Sequence, residues 1–356
     1  PLVTDEHVFA ADTSGFIYCL DQASGDLIWK VDTRDQSFPI THPKNQTLGS
    51  PIIANGCLIM VGGAFEHDAW SDSDDACCTG RGFIVALSPE NGGIVWSYVL
   101  GDEPQRLDPP VVIDDSYGTH TFHYGPSTSS IWSTPSYDPE SNMLFFGTDT
   151  NNSPRQPTAD SPRLSTKKTC AIVAIDASSG VEKWVKQLNP GDVWNNAMRS
   201  YKPATGRYLD CSIGDTPKIY RVDIEGQRTK VVGVGCKNGA FYVLHASDGK
   251  IYQHTPVYRG SPTDPPSPTP DKRMLAFPGP LGGLQTGCAT DGRSIFTNGV
   301  DWLELSAARP RGGRVAGVGP PTGGRITSIS LDTRNEIWRS GIGIANHGGE
   351  AYQPGC

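Results

Sequence analysis

The chain has 356 residues, 37% of them hydrophobic, and a formal net charge of −8. This acidic balance argues against nucleic-acid binding, because the sequence has no basic stripe that could neutralise phosphates. No apolar run approaches the ~20 residues that a helix needs to span a bilayer. The 41 glycines and 29 prolines indicate many turns between short strands.

A five-fold repeat runs through the chain. Each copy reads as an apolar strand, a tight turn with Gly, Asn or Asp, and a strand that ends in an aromatic residue; the copies occupy 15–29, 82–96, 170–184, 239–252 and 324–338. Alternating side chains around such turns predict a β-hairpin in every copy. Short sheets repeated at this period predict an all-β fold, a β-propeller of four-stranded blades. The closing aromatic is expected to pack between neighbouring blades.

The repeats divide the chain into approximate blades within one propeller domain, 1–356. The predicted blades are 1–35, 49–100, 131–190, 213–257 and 283–341, and 342–356 reads as the start of a further blade. The first residue is Pro1 and no signal-like segment precedes the first repeat, so we expect a processed chain or a fragment. Five blades with two open edges would leave unpaired strands, which ring closure normally removes.

Long stretches without a strand pattern separate the repeats. They are 66–81, 102–130, 151–169, 187–211 and 258–282. Connections of this length are uncommon in compact domains unless they bind something. The part at 260–271 is dense in Pro, Ser and Thr and reads instead as a surface excursion.

The nine cysteines are many for a cytosolic protein, and we expect a secreted, extracellular or periplasmic location. The sequence has neither the Cys-x-x-Cys-His motif of attached haem nor paired Cys-x-x-Cys knuckles for zinc. Asn45 begins the glycosylation sequon Asn45-Gln46-Thr47, which is either modified in a secreted chain or unused.

Five short motifs follow one another in the loops and strands. They are CCTGRGF at 77–83, WSTP at 132–135, GT at 147–148 with NN at 151–152, GDVWN at 191–195 and KNG at 237–239. In this order and with these separations they resemble the quinoprotein alcohol dehydrogenases, which bind pyrroloquinoline quinone (PQQ), and among them the polyvinyl-alcohol-dehydrogenase-like branch. The resemblance covers essentially the whole chain and implies an eight-bladed ring with tryptophan-docking repeats.

The resemblance implies roles for five residues of the loops. Glu66 stands at the family's acidic ligand of the metal ion, calcium by family default, and Asn151 lies near its asparagine ligand. The alternative for Glu66 is a solvated acidic loop. Cys77 and Cys78 match a vicinal disulfide that borders the quinone, the alternative being two free thiols. Arg81 matches a partner for a quinone carboxylate, or else holds its loop.

Two further residues would contact the cofactor if the resemblance holds. Trp132 corresponds to the aromatic floor on which the flat quinone lies, and a large indole face suits that task. Its alternative is a core residue. Lys237 corresponds to the cation that hydrogen-bonds the quinone oxygens and stabilises negative charge during reduction. Its alternative is a turn lysine in solvent.

The chain also departs from the family pattern. An aspartate that follows the tryptophan of the Gly-Asp-x-Trp motif acts as the general base in alcohol-oxidising members, and Asn195 occupies that position here. An amide cannot accept the proton of an alcohol. Asp192 could replace the base if its loop turns inward. The register of Asn151 against the family's asparagine is uncertain by one residue.

The sequence therefore predicts a PQQ-dependent, calcium-assisted oxidoreductase that acts on a small or polymeric alcohol, with an unknown electron acceptor. The alternative is a catalytically inactive propeller that serves as a binding or scaffold module, which Asn195 favours. A third reading, an outer-membrane assembly scaffold, is disfavoured because it would need neither the double cysteine nor the long loops. Propellers host many unrelated functions, so the fold alone does not decide.

Overall fold

The computed structural model describes most of the chain. The described residues are 1–66, 78–115, 118–128, 130–160, 164–195, 211–257, 274–276, 283–301, 304–306 and 323–342. Nothing in these ranges forms a helix long and apolar enough to cross a bilayer. The chain divides into two compact units, the first made of Pro1–Val112 and His120–Ala197 and the second of Ile113–Thr119 and Met198–Cys356.

The first sheets of the chain are antiparallel and run in chain order. The first contains β1 (Leu2–Val3), β2 (His7–Ala11), β3 (Phe16–Asp21) and β4 (Leu27–Asp32). The second contains β5 (Asn45–Thr47), β6 (Ile52–Ala54), β7 (Cys57–Ala64), β8 (Phe83–Leu87) and β9 (Ile94–Val99), and both β5 and β6 pair with β7. A two-stranded sheet of β10 (Gln105–Asp115) and β11 (Gly118–Gly125) follows.

The third large sheet has four strands, and the two strands of a smaller ladder alternate with them in the sequence. The next strands are β12 (Ser127–Thr128), β13 (Ser136–Asp138), β14 (Met143–Gly147), β15 (Asn151–Ser153), β16 (Ala171–Asp176) and β17 (Glu182–Gln187). Four of them form the sheet β13-β14-β16-β17, whereas β12 pairs only with β15. This separate ladder lies in the loop region that carries most of the predicted site residues.

The second unit contains two more four-stranded sheets. The fourth sheet is β18 (Lys218–Ile224), β19 (Gln227–Gly235), β20 (Ala240–His245) and β21 (Ile251–Pro256). The remaining strands are β22 (Met274–Ala276), β23 (Ala289–Thr290), β24 (Ser294–Asp301), β25 (Glu304–Ser306), β26 (Gly323–Ser330) and β27 (Glu336–Ile342). The fifth sheet is β23-β24-β26-β27, and β22 pairs with β25. The predicted all-β fold of four-stranded sheets is confirmed.

The inner strands are buried on both faces, which explains their continuous apolar sequence. In β8 the alternate residues Ile84 and Ala86 belong to a core cluster shared with the third sheet. Phe83, Val85 and Leu87 belong to a cluster shared with the first sheet. Because successive side chains point to opposite faces of a strand, the second sheet is packed between the first and the third.

The closing tryptophan of each repeat docks on the turn of the following repeat in the first unit. Trp29 Nε1 donates to Pro89 O at 2.9 Å, and a Cβ on Gly92 would lie 2.8 Å from the Trp29 ring. Trp96 repeats the arrangement, with a Cβ on Gly180 only 2.6 Å from its ring. Both glycines have positive φ, 71° and 69°, which favours glycine. The aromatic packs between blades, as predicted.

The corresponding contact in the second unit uses different residues. The strand pairing corrects the predicted end of the fourth repeat: Gln253 lies opposite Val243 as Trp96 lies opposite Ala86, so Tyr252 stands one residue before the tryptophan position. Arg334, with φ 63°, stands where Gly92 and Gly180 stand. The Arg334 guanidinium lies 4.2 Å from the centroid of the Tyr252 ring, and Thr255 Oγ1 donates to Arg334 O at 3.2 Å. A cation–π contact made from the neighbouring position therefore joins the fourth and fifth sheets.

Two expectations about loops need correction. The stretch 102–130 was expected to be irregular, but most of it forms the β10–β11 sheet, with Pro109 and Pro110 inside β10. Prolines are tolerated there because each strand of a two-stranded sheet has one unpaired edge. Asn45 of the sequon is buried, and its Nδ2 donates to Thr33 O and Ile40 O at 2.8 and 2.7 Å. Its amide is therefore a structural hydrogen-bond donor. The segment 342–356 lies, except for Ile342, outside the described residues.

Candidate functional site

Glu66 lies just after β7, and protein donors surround its carboxylate. It is 3% exposed. Oε2 accepts from Gly80 N at 2.6 Å and lies 3.2 Å from Ser127 Oγ. Oε1 has only longer contacts, 3.3 Å to Thr79 N and 3.5 Å to a histidine nitrogen. Oε1 is therefore the oxygen that the protein holds less tightly.

That histidine is His42, which lies on the connection before β5. Its Nδ1 accepts from Lys44 N at 3.1 Å, so the neutral ring carries its hydrogen on Nε2, the nitrogen that faces Glu66. Burial lowers the pKa of His42 against the opposing effect of the Glu66 carboxylate. His42 is therefore a neutral donor toward Glu66 and Thr79 at neutral pH.

The β12–β15 ladder connects the Glu66 loop to the cysteine motif. Ser127 on β12 pairs with Ser153 on β15, and Ser127 Oγ lies 2.8 Å from Gly80 O. Ser153 Oγ donates to Cys78 O at 3.3 Å. Only glycine fits at position 80, because a Cβ there would lie 2.8 Å from Glu66 Oε2. The motif Thr-Gly at 79–80 thus positions the acidic residue.

Two neighbouring asparagines on β15 have different surroundings. Asn151 Oδ1 accepts from Thr169 Oγ1 and its Nδ2 donates to Ser153 O at 3.4 Å. Asn152 is fully buried, and within the described part of the chain neither its Oδ1 nor its Nδ2 has a hydrogen-bond partner. A buried amide without partners costs about 1–3 kcal/mol. Asn152 belongs to the Asn-Asn motif at 151–152, but no role was predicted for it.

The loop with the Gly-Asp-x-Trp motif lies along the other edge of β15. Asn151 N donates to Asp192 O at 3.3 Å, and Trp194 N donates to Asn151 O at 2.8 Å. Asn195 Nδ2 donates to Asn152 O at 3.0 Å. Asp192 and Asn195 are both fully buried. Both side chains are therefore shielded from solvent, and the role of Asp192 stays a prediction.

For the other predicted residues the structure gives burial but few contacts. Cys78 is buried and disulfide-bonded, whereas Cys77 lies outside the described residues, so the vicinal pairing stays a prediction. Arg81 and Trp132 are half-buried. Lys237 belongs to the second unit, is half-buried, and its backbone N donates to Ser212 O at 3.1 Å.

One hydrogen-bonded network of the first unit thus joins five of the nine predicted residues: Glu66, Cys78, Asn151, Asp192 and Asn195. Among the residues that the structure describes, no group of three or more His, Cys, Asp or Glu side chains is placed to hold a metal ion. A cation at Glu66 would therefore draw on amide oxygens and on oxygens that a ligand brings, as hard divalent cations do.

Comparison with known proteins identifies the family. Residues 38–257 match the family described as PQQ: Glucose/ethanol/alcohol dehydrogenase, beta-propeller domain. Polyvinylalcohol dehydrogenase of Sphingopyxis sp. (strain 113P3) is 27% identical over 314 residues, covering 86% of this chain and 41% of that protein. Quinohemoprotein alcohol dehydrogenase ADH IIB of Pseudomonas putida is 24% identical over 295 residues, 78% of this chain and 38% of the relative.

A solved structure supports the same fold. Quinohemoprotein alcohol dehydrogenase ADHIIG from Pseudomonas putida HK5 superposes with a TM-score of 0.66 at 19% identity, covering 96% of this chain and 52% of that one. This chain spans less than half the length of the two curated relatives compared above. The β-propeller prediction is confirmed, and the chain belongs to the glucose/ethanol/alcohol dehydrogenase β-propeller family.

Proposed function

We propose that this chain is the propeller of an oxidoreductase that oxidises an alcohol with bound PQQ and a divalent cation such as calcium. The observation that carries the proposal is the network that joins Glu66, Cys78, β15 and the Asp192 loop. Family membership supports the same chemistry. The substrate is a small or polymeric alcohol, and the electron acceptor is not specified by this chain.

The polar groups of the network fit a cofactor that brings its own oxygen atoms. Among the residues that the structure describes, the buried Asn152 amide has no partner, and the contacts of Glu66 Oε1 are two, both of 3.3 Å or more. Both groups lack what a ligand with oxygen atoms and a bound cation would supply. The chemistry that PQQ and the cation would supply when bound is a polarised carbonyl that can accept a hydride from the carbinol carbon.

The cation would be held by Glu66 and an amide oxygen of β15. Asn151 is the family-based choice, and alternation along the strand puts it on the same face as Ser153, whose partner Ser127 contacts Glu66. By resemblance, Cys78 with Cys77 would border the quinone. Arg81 would bind a carboxylate, Trp132 would provide the floor, and Lys237 would donate to the quinone oxygens.

The alcohol proton needs a base, and Asp192 is our candidate. A carboxylate accepts a proton, whereas the Asn195 amide does not. Asp192 is fully buried on the loop whose backbone hydrogen-bonds to Asn151 of β15, and this supports its choice. The disulfide of Cys78 supports secretion or a periplasmic location, because disulfides persist in oxidising compartments.

A catalytically inactive binding module is the second candidate, and Asn195 at the family's base position favours it. The two candidates differ in their response to PQQ. An enzyme should bind PQQ with Ca²⁺ saturably, melt at a higher temperature when loaded, and lose that gain with a chelator. A binding module in which the site has decayed should respond to neither.

The test reconstitutes the purified chain with PQQ and Ca²⁺ and follows absorbance and melting temperature, then screens small alcohols and poly(vinyl alcohol) with a redox dye. Asp192→Asn should retain PQQ binding and lose dye reduction. Asp160→Asn, an exposed position of the same unit, is the matched control and should change neither. Undiminished turnover in Asp192→Asn would remove Asp192 as the base, and no PQQ binding by the folded chain would overturn the proposal.

A further inference from the structure

Asp215 is a buried acid of the second unit that no role discussed so far uses. It is fully buried on the segment that leads into β18. Its Oδ2 accepts from Gly235 N at 2.7 Å, and its Oδ1 accepts from Cys288 N at 3.2 Å. The carboxylate therefore joins two segments that are far apart in sequence, the end of β19 and the approach to β23.

Lys237 lies between these two segments. It follows the end of β19 by two residues, and its N donates to Ser212 O on the Asp215 segment. On the opposite side Leu284 N donates to Cys236 O at 3.1 Å. Gly283 packs directly on the Lys237 backbone, since a Cβ on that glycine would lie 2.1 Å from Lys237 O. The Lys237 backbone is thus held on both sides.

Among the described side chains around Lys237, Asp215 is seen to bond both to the end of β19, two residues before Lys237, and to Cys288, four residues after Leu284. We propose that Asp215 is a positioning residue that fixes the backbone of Lys237 by accepting hydrogen bonds from Gly235 and Cys288. The proposal rests on the proposed function for the purpose of the Lys237 ammonium, which is to donate to the quinone oxygens. Asp215 itself acts only through Lys237.

Ionising the buried Asp215 carboxyl costs free energy, and a residue that only linked the two segments would not need that charge. Burial raises the pKa of its carboxyl to about 6 despite the two backbone donors. The groups that face it are the Lys218 ammonium, which lowers that pKa, and the Cys288 thiol, whose own pKa burial raises. Tyr220 nearby has a raised pKa as well and stays neutral. A buried acid whose pKa is shifted by desolvation and by a charged neighbour is a candidate for a functional position.

The two readings of Asp215 predict opposite results for Asp215→Asn. An amide presents one acceptor, so one of the two N–H groups loses its partner, while the buried charge disappears. A positioning role predicts faster hydrogen exchange at 233–238 or 286–290, a PQQ affinity about tenfold weaker, and a melting temperature at pH 7 that does not fall. A purely structural brace predicts that melting temperature and affinity fall together.

The experiment uses the full chain with hydrogen–deuterium exchange without cofactor, thermal melting at pH 7, and titration with PQQ and Ca²⁺. Asp223→Asn, exposed on β18, is the matched control, and Lys237→Ala is the reference for lost quinone contact. Unchanged exchange around Lys237 in Asp215→Asn overturns the inference, as does affinity that changes in Lys237→Ala but not in Asp215→Asn. If the wild type binds no PQQ, the proposed function fails, and exchange still decides the role of Asp215. If Asp215→Asn does not fold, the brace reading is upheld and the inference falls.

Discussion

Two buried asparagines of the first unit are expected to respond in opposite directions when each is replaced by leucine. Asn45 and Asn152 are 2% and 0% exposed, and Oδ1 of each lacks a hydrogen-bond partner. They differ in the amide nitrogen: Asn45 Nδ2 donates to two carbonyls, whereas Asn152 Nδ2 donates to none. Leucine has a similar volume and no polar atom, so Asn→Leu at each position isolates this difference.

The expected difference follows from the hydrogen bonds. Two bonds at ~1 kcal/mol each make Asn45→Leu less stable than Asn152→Leu by about 2 kcal/mol. Asn45→Leu should unfold more easily than the wild type, because two buried carbonyls lose their donors. Asn152→Leu should be at least as stable as the wild type, because a buried amide that costs about 1–3 kcal/mol is removed.

Urea unfolding of the chain without cofactor measures both variants. With a slope of ~2 kcal/mol per molar, the midpoints should differ by about 1 M. The same Asn152→Leu variant should lose part of the stabilisation that PQQ and Ca²⁺ give the wild type. If Asn152→Leu were destabilised as much as Asn45→Leu, a trapped water must satisfy Asn152, and its amide would not be reserved for a ligand.

Three further predictions follow from single contacts. The pKa of Asp215 rises from 3.8 to about 6 on folding, so the free energy of unfolding should fall by about 3 kcal/mol as the pH rises from below 4 to above 6. Urea midpoints across pH 4–8 should show this slope, and Asp215→Asn should lack it. A double-mutant cycle of Arg334→Gly and Tyr252→Ala should give a coupling energy of about 1 kcal/mol, and a coupling energy of zero would refute the cation–π contact. Gly80→Ala should displace the Glu66 carboxylate and weaken Ca²⁺-dependent PQQ binding at least tenfold, and equal binding would contradict the close approach.

The repeat made most of the fold predictable, because it encodes the same physical unit five times. In every copy the hairpin register shifts at the same place, as at Cys19–Leu20 and Ala86–Leu87, so one correct reading serves all five. The Tyr252–Arg334 contact was beyond sequence reasoning, because the strand pairing alone shows that the aromatic of the fourth repeat lies one residue before the tryptophan position, which Gln253 occupies.

The site was predicted in part, and the reasons differ by residue. Glu66 was chosen by resemblance, as the acidic residue ahead of the Arg-Gly strand, and the two N–H donors of Thr79 and Gly80 that hold it appear only in the structure. Asn152 was missed because hydrogen-bond satisfaction is a property of three-dimensional packing and leaves no trace in the sequence. Asp215 was missed for the same reason, since an isolated aspartate before a strand reads as a turn residue.

Asn195 holds its loop by a hydrogen bond whether or not the chain is active, and this gives the last prediction. Its Nδ2 donates to Asn152 O, which holds the Gly-Asp-x-Trp loop against β15. An aspartate at 195 has no donor when ionised and would face that carbonyl with a second acceptor. Asn195→Asp, which restores the family's base, should therefore lower the unfolding free energy by about 2 kcal/mol and add no alcohol oxidation.

The comparison that decides is Asn195→Asp against Asp192→Asn in the same dye-reduction assay, with urea unfolding beside it. A gain of turnover in Asn195→Asp would mean that the ancestral base position still faces the substrate and that Asn195 marks a decayed enzyme. A stability loss without a gain would mean that the amide was recruited to hold the loop. If the chain oxidises alcohols, the proton would then need another acceptor, and Asp192 is the carboxylate of this loop among the described residues.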